Sequence, residues 1–220
     1  MLKFLITAGP TREYIDPVRF LSNDSSGQMG FALAEAAHHA GHSVTLVHGP
    51  VASVPPAEVA LIPVVTALEM ESACQREWPG HDVLIMTAAV ADYRPAKTFA
   101  TKHKRAGANW MLELTPNPDI VAGLSRKKRP DQILVGFALE DRDQHRNAEK
   151  KLVEKGLAAI VLNHPAAIGS TENEIEICLG PGNWSPRRRG SKKDLAKELV
   201  VLAAHLHTAV GPAAAPLDSR

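Results

Sequence analysis

The opening ninety residues alternate between two periodicities, and that alternation limits the folds available. "LKFLITA" at residues 2–8 is an apolar run that predicts a buried strand. Met29, Leu33, Ala36, Ala37 and Ala40 then share one face at helical spacing, which predicts a helix over 26–40, capped by Ser25 or Ser26 and ended by Gly41. "SVTLVHG" predicts the next strand, "VALIPV" a short third one, "TALEMESACQREW" a second helix and "DVLIMTAAV" a fourth, strongly apolar strand. Strands that alternate with helices form a parallel sheet with helices on both faces, so the fold class is α/β. Right-handed crossovers place every strand-to-helix loop on one rim, where ligands of such folds bind.

Past Val90 the pattern loosens. "ADYRPAKTFATKHKRAGAN" has no clean period and reads as a long basic loop. "WMLEL" predicts a strand, and "NPDIVAGLSRK" a helix with Asn117 as its cap and Pro118 in the first turn. "ILVGFAL", "RDQHRNAEKKLVEKG" and "AAIVLN" predict strand, helix and strand. "NEIEICL" alternates Ile175, Ile177 and Leu179, as a strand wet on one face would. "SKKD" matches a capping box ahead of a last helix, "LAKELVVLAAHLH". Residues 1–208 are expected to form one domain and 209–220 a flexible tail.

Composition excludes several classes. Of 220 residues, 45% are apolar, enough for a sizeable core, and a formal charge of +1 argues against a general nucleic-acid or membrane binder. The start lacks the pattern of a signal peptide and no run reaches transmembrane length. Cys74 and Cys178 give no disulfide framework, and a cytoplasmic setting is expected.

One segment is out of proportion. About seventeen residues separate Gly9 from Gly27, ending in the polar stretch "FLSNDSSGQMG", whereas connectors usually run to about 4–6 residues. The helix start at "SSGQMG" offers free N–H groups and a positive dipole end to an anion, with Gly27 and Gly30 permitting close approach. "NPDIV" offers a second such end, where Asp119 complements the dipole. "KHKR" (Lys102 to Arg105) falls on the presumed ligand rim, and Lys151 and Lys155 share one helical face. "RKKR" at 126–129 and "RRRGSKK" at 187–193 read as helix-end and solubilising charge.

A nicotinamide-binding oxidoreductase is disfavoured. The glycines form no compact fingerprint, "LVHG" ends without an acid for a ribose hydroxyl, and Pro95 keeps Tyr93 and Lys97 off a common helix. No zinc spacing, P-loop or Gly-x-Ser-x-Gly elbow occurs, so no protein-borne metal is expected and Mg²⁺ would arrive with a nucleotide.

Taken together, "ITAGPTREYIDPVRFLSNDSSGQMGFALAEAA", "TAAVADYRPA", "KHKR", "NPDIVAG", "LVGFA" and the later Lys151 and Lys155 resemble the phosphopantothenate–cysteine ligase family over about residues 3–205. The resemblance implies a Rossmann-like parallel sheet with an additional flap/strand region, and a homodimer. It implies a ligase that joins 4′-phosphopantothenate to L-cysteine through an acyl nucleotide in coenzyme A biosynthesis, with CTP more expected than ATP, Mg²⁺ carried by the triphosphate and no flavin in this chain. Many bacterial members are fused behind a flavin-dependent decarboxylase, so a separate phosphopantothenoylcysteine decarboxylase is the expected pathway neighbour.

By motif, the resemblance assigns catalysis to Asn23, Lys102 and Arg19. Asn23 would donate its amide to the acyl oxygen, and Lys102 would offset charge on the departing pyrophosphate. Nucleotide contacts fall to Met86, Thr87, Ala88, Asp92, Lys102, Pro118, Asp119, Ile120, Val121, Phe137, Lys151 and Lys155. Substrate contacts fall to Asn23, Ser25, Ser26 and Gly27. A non-catalytic nucleotide-binding regulator on the same fold is the remaining alternative.

Overall fold

The computed structural model describes residues 1–105, 107, 109–163 and 172–210. The strands are β1 (Lys3–Ala8), β2 (Arg12–Tyr14), β3 (Phe20–Ser22), β4 (Ser43–His48), β5 (Ala60–Pro63), β6 (Val83–Met86), β7 (Tyr93–Pro95), β8 (Leu114–Pro116), β9 (Ile133–Leu139), β10 (Ala159–Asn163), β11 (Glu172–Gly180), β12 (Asn183–Trp184) and β13 (Arg188–Ser191). The helices are α1 (Gln28–His39), α2 (Ala67–Glu77), α3 (Ile120–Ser125), α4 (Gln144–Glu154) and α5 (Lys192–Val210).

Parallel pairing runs in the order β5-β4-β1-β6-β9-β10. The order reverses between β1 and β6, as in a doubly wound sheet, and the fold is Rossmann-like. β11 adds antiparallel to β10 and carries β12 and β13 on its other edge. Successive residues of β1 serve two cores. Phe4, Ile6 and Ala8 join the layer with α1 and α5, while Leu5 joins Met70 and Cys74 of α2, Leu124 of α3 and Leu152 of α4. Burying each such large side chain stabilises the fold by about 1.5–3 kcal/mol.

Two small hairpins lie beside the main sheet. β2 pairs with β3 (Arg12↔Ser22, Tyr14↔Phe20), and β7 pairs with β8 (Tyr93↔Pro116, Pro95↔Leu114). The long segment after Gly9 is therefore a hairpin excursion and not one open loop. Its ends meet: a Cβ on Gly27 would lie 3.4 Å from the Gly9 Cα.

Several sequence expectations need correction. α1 starts at Gln28 with Gly27 as its cap at φ 73, and no side chain caps it; the Ser25 hydroxyl accepts the Gly27 N–H at 3.4 Å instead. α3 is capped by Asp119, which accepts the Ala122 N–H, and not by Asn117. The "WMLEL" strand is displaced to Leu114–Pro116, because Trp110 leaves the ladder and stacks on His103 with ring centroids 4.4 Å apart. β11 is not wet on one face: Ile175 and Ile177 enter one core and Cys178 the other. α5 continues through Ala209 to Val210. The rest of the tail, 211–220, lies outside the described residues. No helix among the described residues is long and apolar enough to cross a membrane.

Candidate active site

The C-terminal ends of β6, β9 and β10 open into a cleft of about 700 Å³. Its floor is the segment Met86–Asp92 together with Gly136–Leu139. One wall is the stretch from Asn23 to Gly30. Asn117–Asp119, Val121, Lys151 and Lys155 form the opposite wall, and Asn163, Asn173 and Lys192 close one end.

Close backbone approach builds the first wall. A Cβ on Gly30 would come within 2.5 Å of the Ala8 Cβ and 2.7 Å of the Thr87 hydroxyl oxygen, so only glycine lets α1 sit this low on the sheet. Thr87 in turn donates to the Thr7 carbonyl. The Thr7 hydroxyl oxygen accepts the Ala88 N–H at 3.1 Å, and the Thr11 hydroxyl oxygen accepts the Ala91 N–H at 3.0 Å. These buried threonines fix the floor against β1. With no acid in its first turn and no side-chain cap, α1 presents its N–H groups and positive dipole end unneutralised.

Asn23 crosses between wall and floor. Its side-chain nitrogen donates to the carbonyls of Ala89 at 3.3 Å and Val90 at 3.1 Å. Both neighbours are acceptors, which fixes the amide orientation. In this conformation the amide holds the loop to the floor.

On the far wall Asn117 donates to the Ala91 carbonyl at 2.8 Å and accepts from Arg94 at 3.0 Å, positioning the turn that carries Asp92. Lys155 pairs with Asp119 at 3.0 Å, and Lys151 pairs with Glu140. Burial alone would raise the Asp119 carboxyl, but the Ala122 N–H and Lys155 outweigh it and hold it below its ordinary value.

Most expected residues converge here. Asn23, Ser25, Ser26, Gly27, Met86, Thr87, Ala88, Asp92, Pro118, Asp119, Val121, Phe137, Lys151 and Lys155 all line the cleft. Ile120 does not; it is 3% exposed and packs in the core beneath α3. Arg19 and Lys102 also lie outside the lining. Arg19 pairs with the buried Asp16 and donates to the His103 carbonyl at 2.8 Å, while Lys102 is exposed. Tyr93 sits on a strand with Pro95, so it shares no helical face with Lys97.

Sequence reading missed Asn163, Asn173 and Lys192. A signal for Lys192 was present: it precedes Leu195 and Leu199 at helical spacing, on the stripe that α5 buries. Away from the cleft, Asp82, Asp131 and His207 place ligand-type atoms within 4.8 Å of one another, a grouping that sequence spacing did not show. Arg129 already lies against both carboxylates.

Residues 1–206 match the family model described as the DNA/pantothenate metabolism flavoprotein C-terminal domain. The chain belongs to this family. It is 42% identical over 212 residues to the coenzyme A biosynthesis bifunctional protein CoaBC of Bacillus subtilis (strain 168), covering 94% of this chain and 52% of that protein. It is also 42% identical over 203 residues to a protein named cysteine/cysteine sulfinic acid decarboxylase from an unknown prokaryotic organism, covering 90% of this chain and 56% of that one. The chain thus spans about half the length of these curated relatives. A crystal structure of the C-terminal domain of a coenzyme A biosynthesis bifunctional protein CoaBC superposes with a TM-score of 0.78 at 37% identity, covering 94% of this chain and 96% of that domain. The family's C-terminal domain therefore accounts for nearly the whole Rossmann-like body described above.

Proposed function

We propose that this chain ligates 4′-phosphopantothenate to L-cysteine in coenzyme A biosynthesis, through an acyl nucleotide formed with CTP in preference to ATP. The observation that carries this reading is the near end-to-end likeness to the C-terminal domain of a coenzyme A biosynthesis bifunctional protein, in a chain whose cleft joins an uncapped helix N-terminus to a polar, backbone-pinned loop.

In this reading the α1 N-terminus and the lysines of the cleft hold the phosphates, and Phe137 and the turn from Pro118 to Val121 receive the base. The loop from Asn23 to Gly27 receives the carboxylate of phosphopantothenate. Attack of that carboxylate on the α-phosphorus forms a mixed anhydride and expels pyrophosphate. The cysteine amine then attacks the acyl carbon and expels the nucleoside monophosphate. Cys74 and Cys178 are both buried, and burial pushes the Cys74 thiol up to about 12, so neither is suited to form an acyl-enzyme. Asp24 and Asp92 present oxygen donors to the cleft and would meet a Mg²⁺ ion carried by the triphosphate.

One further expectation belongs to the same reading. A second copy of the chain covers the apolar side chains that the hairpins leave exposed, among them Val18, Phe20, Tyr93 and Met111.

The test is a pyrophosphate-release assay with CTP or ATP, phosphopantothenate, Mg²⁺ and cysteine. Nucleotide-dependent release coupled to amide formation supports the reading; no amide with either nucleotide would overturn it.

A further inference from the structure

Asn163 and Asn173 both line the cleft, and Asn173 is only 4% exposed. The Asn173 side-chain oxygen accepts the Glu174 N–H at 2.8 Å. A backbone N–H can only donate, so the Asn173 amide has a single orientation. Its nitrogen then donates to the Asn163 side-chain oxygen at 3.0 Å, which orients the second amide in turn. The NH₂ group of Asn163 is left over: no described residue accepts from it, and the residue borders the cleft.

Its place on the sheet says what this donor can meet. Asn163 pairs with Ile175 of β11 and lies two residues beyond Val161, which pairs with Phe137 of β9. Ile175, Val161 and Phe137 all pack in the layer with α1 and α5, so alternation puts Asn163 on that same face. Phe137 and Asn163 are thus diagonal neighbours on adjacent strands, and both border the cleft. An aromatic ring beside a hydrogen-bond donor suits a planar heterocycle that stacks on one and turns an acceptor edge to the other.

The orientation also selects among heterocycles. An asparagine with both ends free grips adenine by accepting from its amino group and donating to the neighbouring ring nitrogen. Asn163 has its oxygen taken by Asn173 and offers the donor half alone. Cytosine carries a carbonyl oxygen and a ring nitrogen side by side, both acceptors, which a two-hydrogen donor matches.

We propose that Asn163 is a specificity-determining residue, held donor-outward by Asn173, that donates to the acceptor edge of a pyrimidine base. This deepens the ligase reading and rests on its placing of the base at Phe137.

The experiment compares the wild-type chain with Asn163→Asp, Asn163→Ala and Asn173→Ala. Calorimetry measures binding of CTP, ATP and inorganic tripolyphosphate to each, and a melting curve checks each fold. Asn163→Asp keeps an oxygen for Asn173 but turns an acceptor to the base. It should bind CTP about ten- to a hundredfold more weakly, the scale of leaving a polar group unmatched. ATP should lose less, because its amino group can donate to the new carboxylate, so the preference for CTP should shrink. Asn173→Ala frees the Asn163 amide to turn over and should shrink the same preference while Asn163 itself is intact. Should Asn163→Asp fail to fold, Asn163→Ala carries the comparison, with a weaker loss for CTP. Tripolyphosphate binding should be the same throughout. Equal CTP binding by the wild type and the Asn163 variants overturns the proposal. So does a loss of tripolyphosphate binding as large as the loss of CTP, which would make the effect one of charge and not of base reading. CTP binding that depends on Asn163, in a chain that forms no amide, leaves the base site standing and removes the ligase reading.

Discussion

Arg19 and His103, eighty-four positions apart, are joined at the backbone: the guanidinium donates to the His103 carbonyl at 2.8 Å. Asp16 completes the clasp, accepting from Arg19 Nε at 3.0 Å and from the His103 N–H at 3.2 Å. The basic segment that begins at Lys102 is thereby strapped to the β2–β3 excursion, with the Phe99 N–H reaching the Ile15 carbonyl at 2.9 Å. Arg19 here holds the strap, outside the lining of the cleft.

Asp16→Asn should release that strap. The amide cannot hold both the Arg19 guanidinium and the His103 N–H as a carboxylate does. Limited trypsin digestion should cut after Lys102, Lys104 or Arg105 several-fold faster than in the wild type. Equal cleavage rates would show that the clasp does not order the segment.

Acid should loosen the same clasp. Arg19 holds the Asp16 carboxyl far below its ordinary 3.8, and Asp119 is also lowered. Both groups have folded values below their unfolded ones, so the unfolded chain takes up protons first as pH falls. Their contribution is complete above about pH 5 and drains away below it. Melting temperature should fall through that window, and Asp16→Asn should flatten the fall.

Asn23→Asp should lower activity by about ten- to a hundredfold, the scale of losing two hydrogen bonds of about 0.5–1.5 kcal/mol each. The geometry supplies the cause. The substitution puts a carboxylate against the Ala89 and Val90 carbonyls, where two donated hydrogen bonds had been. The loop should detach, so Asn23→Asp should bind phosphopantothenate poorly as well as turn over slowly. A variant with unchanged affinity and unchanged turnover would remove Asn23 from the site.

Gly30→Ala should destabilise the fold by about 1–3 kcal/mol, the usual cost of overpacking. The added methyl meets Ala8, the Thr87 hydroxyl and the Thr7 carbonyl within 3.0 Å. Relief requires lifting α1 from β1, so nucleotide affinity should fall with it. Urea unfolding and CTP titration measure the two effects.

Nucleotide choice is open to direct measurement. If Phe137 and the turn from Pro118 to Val121 frame a pyrimidine, CTP should give the larger specificity constant. A larger value for ATP would reassign the base pocket and leave the proposed ligation in place.

The main sheet was legible because its strands are apolar on both faces and its helices carry clear periodic stripes. β9 is "ILVGFAL" in sequence and in structure, and the cleft lies on the rim that the crossovers dictate. The hairpins were not legible. β2, β3, β7 and β8 are each three residues long, too short for a period to register, and their pairing is set by contacts between distant segments. Tertiary context also decided side-chain roles. Asn117 had the right position for a helix cap but serves the Ala91 carbonyl and Arg94. Lys192 sat in a charge run that read as solubilising, although Arg188 and Arg189 find acids at the surface while Lys192 turns inward.

The packing of α5 on α1 has a consequence for synthesis. Phe31, Leu33 and Ala34 of the early helix share their core with Leu195, Leu199 and Ala203 of the last one. A nascent chain can emerge with β1, α1 and β4 in hand and still leave that face of the sheet open to water. The ribosome must release residues through the end of α5 before the layer can shut. Lys192 reaches the cleft only in that closing step, so a chain stalled before it lacks this side chain at the end of the cleft.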